Sequence, residues 1–214
     1  MTDGPAFPLL VALAGLLLGP TIEWVICRRL PRLGGLPSPA VRITTAAVTA
    51  LLFGLLAWRF GSSAELPAYL LLALLGVQLS RIDFTLHLLP NSLILLLLGG
   101  GFLLLLASAA LAPGWPELLR ALAGGAILFV GYLILGLISP RSLGMGDVKL
   151  AAPLGMYLGY LGWGQVLYGG LLGFVVGGVL TVLMLRLNRA EKPAETAHGP
   201  AMVIAALGVT LLMN

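Results

Sequence analysis

Residues 88–111 read LLPNSLILLLLGGGFLLLLASAAL, and the fold is decided by this stretch. It contains no charged residue and is long enough to cross a hydrocarbon core of about 30 Å as a helix, which takes about 20 apolar residues. A backbone surrounded by lipid must bond to itself, so runs of this kind fold as helices. Working outward, similar segments cover residues 7–27, 43–58 and 68–80 on one side. Residues 118–138, 148–158, 165–187 and 200–213 follow on the other. The 214-residue chain is 59% hydrophobic and 9% charged, with a mean hydropathy of +1.06, which excludes a soluble globular domain. Barrel-type alternation is absent. The expected fold is all-α: a polytopic membrane protein of about eight transmembrane helices, with residues 1–214 forming one membrane domain and no separate soluble domain. Several segments are short for a straight span, so some of their ends should be buried in protein. No internal repeat is visible.

The connections carry the charge. A basic loop rich in Pro and Gly, from Arg28 to Arg42, follows the first segment, which contains Pro20 and ends near Glu23. The Pro113-Gly114-Trp115-Pro116 turn closes the fourth segment, and its Trp115 suits a membrane interface. With eight alternating spans and the first loop inside, ten of the twelve basic residues fall on the cytoplasmic side; only Arg59 and Arg120 fall outside. The positive-inside rule therefore puts both termini outside and the edges near Asp83 and Asp147 at the cytoplasmic face. The net charge of +4 is explained by this loop bias and implies no nucleic acid. The first segment lacks a preceding basic residue and a cleavage site, and is expected to be a retained span. Cys27 is the only cysteine, so no disulfide within the chain and no cysteine-ligated metal site is expected.

A little upstream of residues 88–111 lies Arg81-Ile82-Asp83, and at the edge of the sixth segment stands Gly144-Met145-Gly146-Asp147-Val148-Lys149-Leu150. A carboxylate at membrane depth costs about 2.5–3.5 kcal/mol on insertion scales, which points to function. Gly144 and Gly146 remove side-chain bulk beside Asp147, so backbone can approach it. Held close, Asp83 and Asp147 would share a proton. One could then activate a water while the other polarises the carbonyl it attacks, which is peptide hydrolysis with no metal or cofactor. The bland reading of each acid is a helix cap or ion-pair partner. His87 reads as an interface residue, and His198 as a solvent-facing residue or one packed on a helix start. Glu23 reads as a helix-end or interhelical partner. Lys149 lies two residues from Asp147, off its helix face, and could pair with another acid, snorkel or contact substrate. The glycines near Gly99, Gly124, Gly169 and Gly177 suggest close helix packing. A proton-coupled transporter is the main alternative, although the inverted repeat usual there is missing. A structural assembly protein with a dead site is another, against which the presence of both acids and both glycines argues.

Gly144 to Leu150, followed by Gly155 and Gly159, resembles the signature of prepilin peptidases, the intramembrane GxGD aspartic proteases. That family's other aspartate stands seven residues before a Pro-Asn or Pro-Asp pair, as Asp83 stands before Pro90-Asn91. The 64-residue separation of the acids and the Gly199-Pro200 pair near the C-terminus are similar too, and Arg28-Arg29-Leu30-Pro31 is similar more loosely. A presenilin-like protease shares GxGD, but its other aspartate usually follows a tyrosine, whereas Asp83 follows Ile82. The resemblance implies Asp83 and Asp147 as the catalytic pair, with Gly144, Gly146 and Lys149 shaping the site. It also implies a prepilin or pseudopilin helix as substrate, admitted laterally from the bilayer, and a bacterial inner-membrane location with the site facing the cytoplasm. No Cys-x-x-Cys insert follows the first segment, so methyltransferase activity, S-adenosylmethionine and zinc are not expected. Pro20 and Glu23 stand where the family has Ser or Asn. Arg141 and Ser142 stand where it has an acid.

Overall fold

The computed structural model describes residues 4–33, 35–112, 114–138, 143–187 and 198–213. Among them are eight α-helices: α1 (Ala6–Arg29), α2 (Pro39–Phe60), α3 (Leu66–Leu86), α4 (Asn91–Leu111), α5 (Trp115–Ile138), α6 (Met145–Leu161), α7 (Trp163–Leu187) and α8 (Gly199–Leu212). Each expected segment corresponds to one helix, and the described residues include no strand. Five helices, α1 to α5, are long and apolar enough to cross a membrane. α8 and the Trp163–Val179 part of α7 are apolar but shorter. The chain forms two compact units, residues 1–78 and 79–214, and α3 contributes to both.

In the first unit, small residues let α1 and α2 approach closely. A Cβ on Gly15 would lie 2.8 Å from the Phe53 ring, and one on Gly19 would lie 3.3 Å from the Ala46 backbone. Glu23 is buried between these helices and pairs with Arg42 (3.6 Å), the interhelical role its isolation suggested. Pro39 starts α2, where its missing N–H costs nothing.

α6 organises the second unit. It has 17 residues and is about 25 Å long, short for a straight span. It is buried nearly all round and packs against α4, α5, α7 and α8. Its Asp147 and its Pro153 therefore face protein rather than lipid, while Met145 and Lys149 at its start are exposed. Glycines set the α5–α6 spacing: a Cβ on Gly124 would meet the Gly155 carbonyl oxygen at 2.6 Å. Arg120 on α5 completes the C-terminal end of α6. Its Nε donates to the Gly159 carbonyl (2.7 Å) and its Nη2 to the Tyr160 carbonyl (2.7 Å). The helix runs through Leu161, beyond the expected end at residue 158. Tyr157 and Tyr160 tie α6 to α4 through the Leu97 carbonyl and the Ser108 hydroxyl. Gly169 and Gly177 pack closely, against Leu158 and His198, as expected. Gly99 does not: a Cβ there meets nothing within 4 Å, and Gly101 makes the contact instead, against Tyr157.

Candidate active site

Asp83 lies in the last turn of α3, inside the helix rather than beyond its expected end at residue 80. No breaker precedes His87, which takes φ 51° and donates its N–H to the Asp83 carbonyl at 2.9 Å. Pro90 then disfavours helix at Leu89, so the chain leaves α3 within one turn of Asp83. The Asp83 side chain is 5% exposed. The Gly199 N–H, at the first residue of α8, donates to Asp83 Oδ2 at 3.1 Å. The first N–H groups of a helix have no partner within it and carry the positive end of its dipole, so α8 presents a natural donor to a carboxylate. A Cβ on Gly199 would lie 2.8 Å from that oxygen, so only glycine allows the approach.

Asp147 is the third residue of α6 and is 7% exposed. The N–H of Gly144, which caps the helix, donates to Asp147 Oδ2 at 3.2 Å. This is the side-chain-to-cap half of a capping box; glycine supplies no side chain for the other half. A Cβ on Gly146 would lie 3.0 Å from Leu89 Cβ, and one on Gly199 would lie 3.4 Å from Leu89 Cδ1. One leucine therefore sits against the glycine that holds Asp83 and against the glycine next to Asp147. Asp147 lies within electrostatic reach of Asp83. Lys149 is exposed, and its Nζ donates to Asn91 Oδ1 at 3.1 Å. The Pro-Asn pair and the glycine-aspartate stretch are thus joined a second time.

Beside the acids stands an aromatic cluster that the sequence did not mark. The Tyr132 ring on α5 stacks on Phe174 of α7 (4.9 Å) and lies 6.1 Å from the His198 ring. His198 caps α8 and is half-buried, the helix-start alternative of its two readings. Burial holds its pKa below the ordinary imidazole value, and its Nε2 is buried with no hydrogen-bond partner among the described residues. The Gly-Pro pair marked the start of α8, but nothing in the spacing marked Tyr132. His87 is exposed at the end of α3. Among the described residues no three of His, Cys, Asp and Glu gather as a metal-ligand set. Arg141, Ser142 and the polar stretch 188–197 lie outside the described residues.

The sequence profile described as the type IV leader peptidase family matches residues 69–182, a span that holds both acids and more than half the chain. The chain belongs to the type IV leader peptidase family. A prepilin leader peptidase/N-methyltransferase of Stutzerimonas stutzeri is 37% identical over 156 residues, covering 72% of this chain and 53% of that protein. One of Pseudomonas aeruginosa is 36% identical over 158 residues, covering 73% and 53%. One of Dickeya chrysanthemi is 33% identical over 198 residues, covering 90% and 67%. This leader peptidase family member thus spans about half the length of the first two relatives. No solved structure matches it.

Proposed function

We propose that the protein is an intramembrane aspartic endopeptidase that removes the N-terminal leader of type IV prepilins or related pseudopilins. One observation carries this reading. Asp83 and Asp147 are 64 residues apart in the chain, yet the glycine that bonds Asp83 and the glycine next to Asp147 both lie against Leu89, and a glycine N–H holds Oδ2 of each acid. Membership of the leader peptidase family supports it. Holding Oδ2 leaves Oδ1 of each acid to the reaction. The ionised aspartate takes a proton from water as the water oxygen bonds to the scissile carbonyl carbon. The protonated aspartate gives its proton to the carbonyl oxygen. When the resulting diol collapses, the C–N bond breaks and the leaving amine takes the first proton. A diol hydroxyl returns the second, so one water is consumed and both acids are restored.

Gly144 and Gly146 shape the site by keeping side chains away from Asp147, and Lys149, steadied by Asn91, places a cation at its edge. The substrate is the apolar N-terminal helix of a prepilin, reached through the bilayer of a bacterial inner membrane. The arginine and lysine bias supports a site facing the cytoplasm and termini on the other side. Residues 1–214 act as one membrane peptidase domain. The short loop after α1, without paired cysteines, supports cleavage without methylation.

The test is cleavage of a purified prepilin, followed by mass, in detergent and in sealed vesicles of each orientation, with S-adenosylmethionine added. Loss of the leader without added methyl mass is expected, in detergent and in inside-out vesicles. An intact leader in detergent would end the peptidase reading. Cleavage confined to right-side-out vesicles would reverse the orientation, and methyl mass on the product would restore the second activity.

A further inference from the structure

The end of α3 and the connection to α4 hold three leucines, and they are not placed alike. Leu86 is 40% exposed and Leu88 is 55% exposed, whereas Leu89 is half-buried. Their hydropathy is the same, so position decides which one turns inward. Leu89 is fixed on both sides along the chain. Asp83 precedes it in the last turn of α3, and Pro90, with φ −62° and ψ 122°, follows it and opens α4. The next residue, Asn91, accepts a hydrogen bond from Lys149 of α6 (3.1 Å), which ties the connection to that helix. Held in this way, the leucine meets two glycines. A Cβ on Gly146 would lie 3.0 Å from Leu89 Cβ and 3.1 Å from its Cδ1, and one on Gly199 would lie 3.4 Å from the same Cδ1. Gly146 precedes Asp147 in α6, and the Gly199 N–H at the start of α8 donates to Asp83 Oδ2 at 3.1 Å. Neither glycine has a side chain, so Leu89 fills the space that both leave.

We propose that Leu89 is a positioning residue: its side chain is the spacer between the start of α6 and the start of α8, and it sets the separation at which Asp147 and Asp83 meet one peptide bond. This rests on the reading of Asp83 and Asp147 as the catalytic pair. Close-packed contacts transmit displacement, so a change of one or two methylenes in a spacer is felt by the groups it separates. Misplacing a reacting group by about 1 Å can lower a rate by about 100-fold. Leu89 supplies no chemistry of its own and acts only through the placement of the acids, so its loss should appear in kcat and not in KM.

The experiment compares wild type, Leu89→Ala, Leu89→Met, Leu105→Ala and Asp147→Asn in detergent, on one prepilin. The thermal midpoint, kcat and KM are measured for each, with rates taken well below every midpoint. Met nearly conserves the volume of Leu. Leu105 is fully buried in α4, about 20 Å along that helix from Asn91, and serves as a truncation away from the site. Leu89→Ala should lower kcat by about tenfold or more with KM within about twofold. Leu89→Met should keep kcat within about threefold of wild type. Leu105→Ala should lower the midpoint at least as far as Leu89→Ala and keep kcat within about twofold. A kcat loss below about tenfold in Leu89→Ala, a loss carried by KM, or a Leu89→Met no faster than Leu89→Ala would overturn the assignment. So would a Leu105→Ala that loses as much kcat as Leu89→Ala, because the rate would then follow stability and not spacing. Wild type that cleaves, beside an inactive Asp147→Asn and a fully active Leu89→Ala, removes the spacer alone. Wild type that leaves the prepilin intact removes the peptidase reading and the spacer with it.

Discussion

Asp83 and Asp147 are held in the same way, each taking one N–H from a glycine at the start of a helix. Such a bond orients a carboxylate without supplying a competing charge. Gly199 is the more sensitive of the two. A Cβ there would lie 2.8 Å from Asp83 Oδ2, so either the carboxylate or the start of α8 must move. Displacing a reacting group by about 1 Å can cost about 100-fold in rate, whereas overpacking costs about 1–3 kcal/mol in stability. Gly199→Ala should therefore lower kcat by about 100-fold while leaving a folded protein with a modestly reduced thermal midpoint. A kcat equal to wild type would show that the Gly199–Asp83 contact does not position the acid. The two acids were legible in the sequence because a carboxylate in a chain with 9% charged residues stands out. The Lys149–Asn91 bond was not, since it joins residues 58 apart. Nor was Tyr132, because an aromatic residue inside an apolar helix carries no spacing signal of its own.

At the scale of the element, the helices were legible where punctuation is strong and not where it is weak. α4 starts at Asn91 because Pro90 precedes it, three residues later than hydropathy alone suggested. α3 runs six residues past its expected end because Arg81 and Asp83 lower hydropathy without breaking a helix. α6 shows why short segments can persist: its length is below that of a straight span, and its neighbours cover nearly all of it. Arg120 is part of that arrangement, supplying donors to carbonyls that the end of α6 leaves open. Hydrogen bonds to a charged group contribute about 1.5–3 kcal/mol. Arg120→Gln should lower stability by about that amount, seen as a lower thermal midpoint in detergent. Cleavage at low temperature should persist, because Arg120 bonds the end of α6 opposite to Asp147. An unchanged midpoint would mean that these carbonyls are served otherwise.

At the scale of the whole molecule, composition alone announced a helical membrane protein, and the eight apolar segments became eight helices. Hydropathy does not separate a helix that faces lipid from one enclosed by other helices. For that reason five helices meet the length and composition of a membrane span while α6 and α8 are shorter and largely buried. The enclosed helices carry part of the proposed site: α6 brings Asp147 and α8 the N–H that holds Asp83, while Asp83 itself stands on α3. The central claim is that these two acids act as one unit on one peptide bond. The most direct measurement is single-turnover cleavage of a prepilin by wild type, Asp83→Asn, Asp147→Asn and the double variant. Asparagine keeps a side-chain oxygen to accept the glycine N–H, so all four proteins should be equally folded. Each single variant should lose about 100- to 10,000-fold in rate, and the double variant should lose no more than the worse single. A single variant that cleaves at the wild-type rate, or losses that multiply in the double variant, would contradict the account.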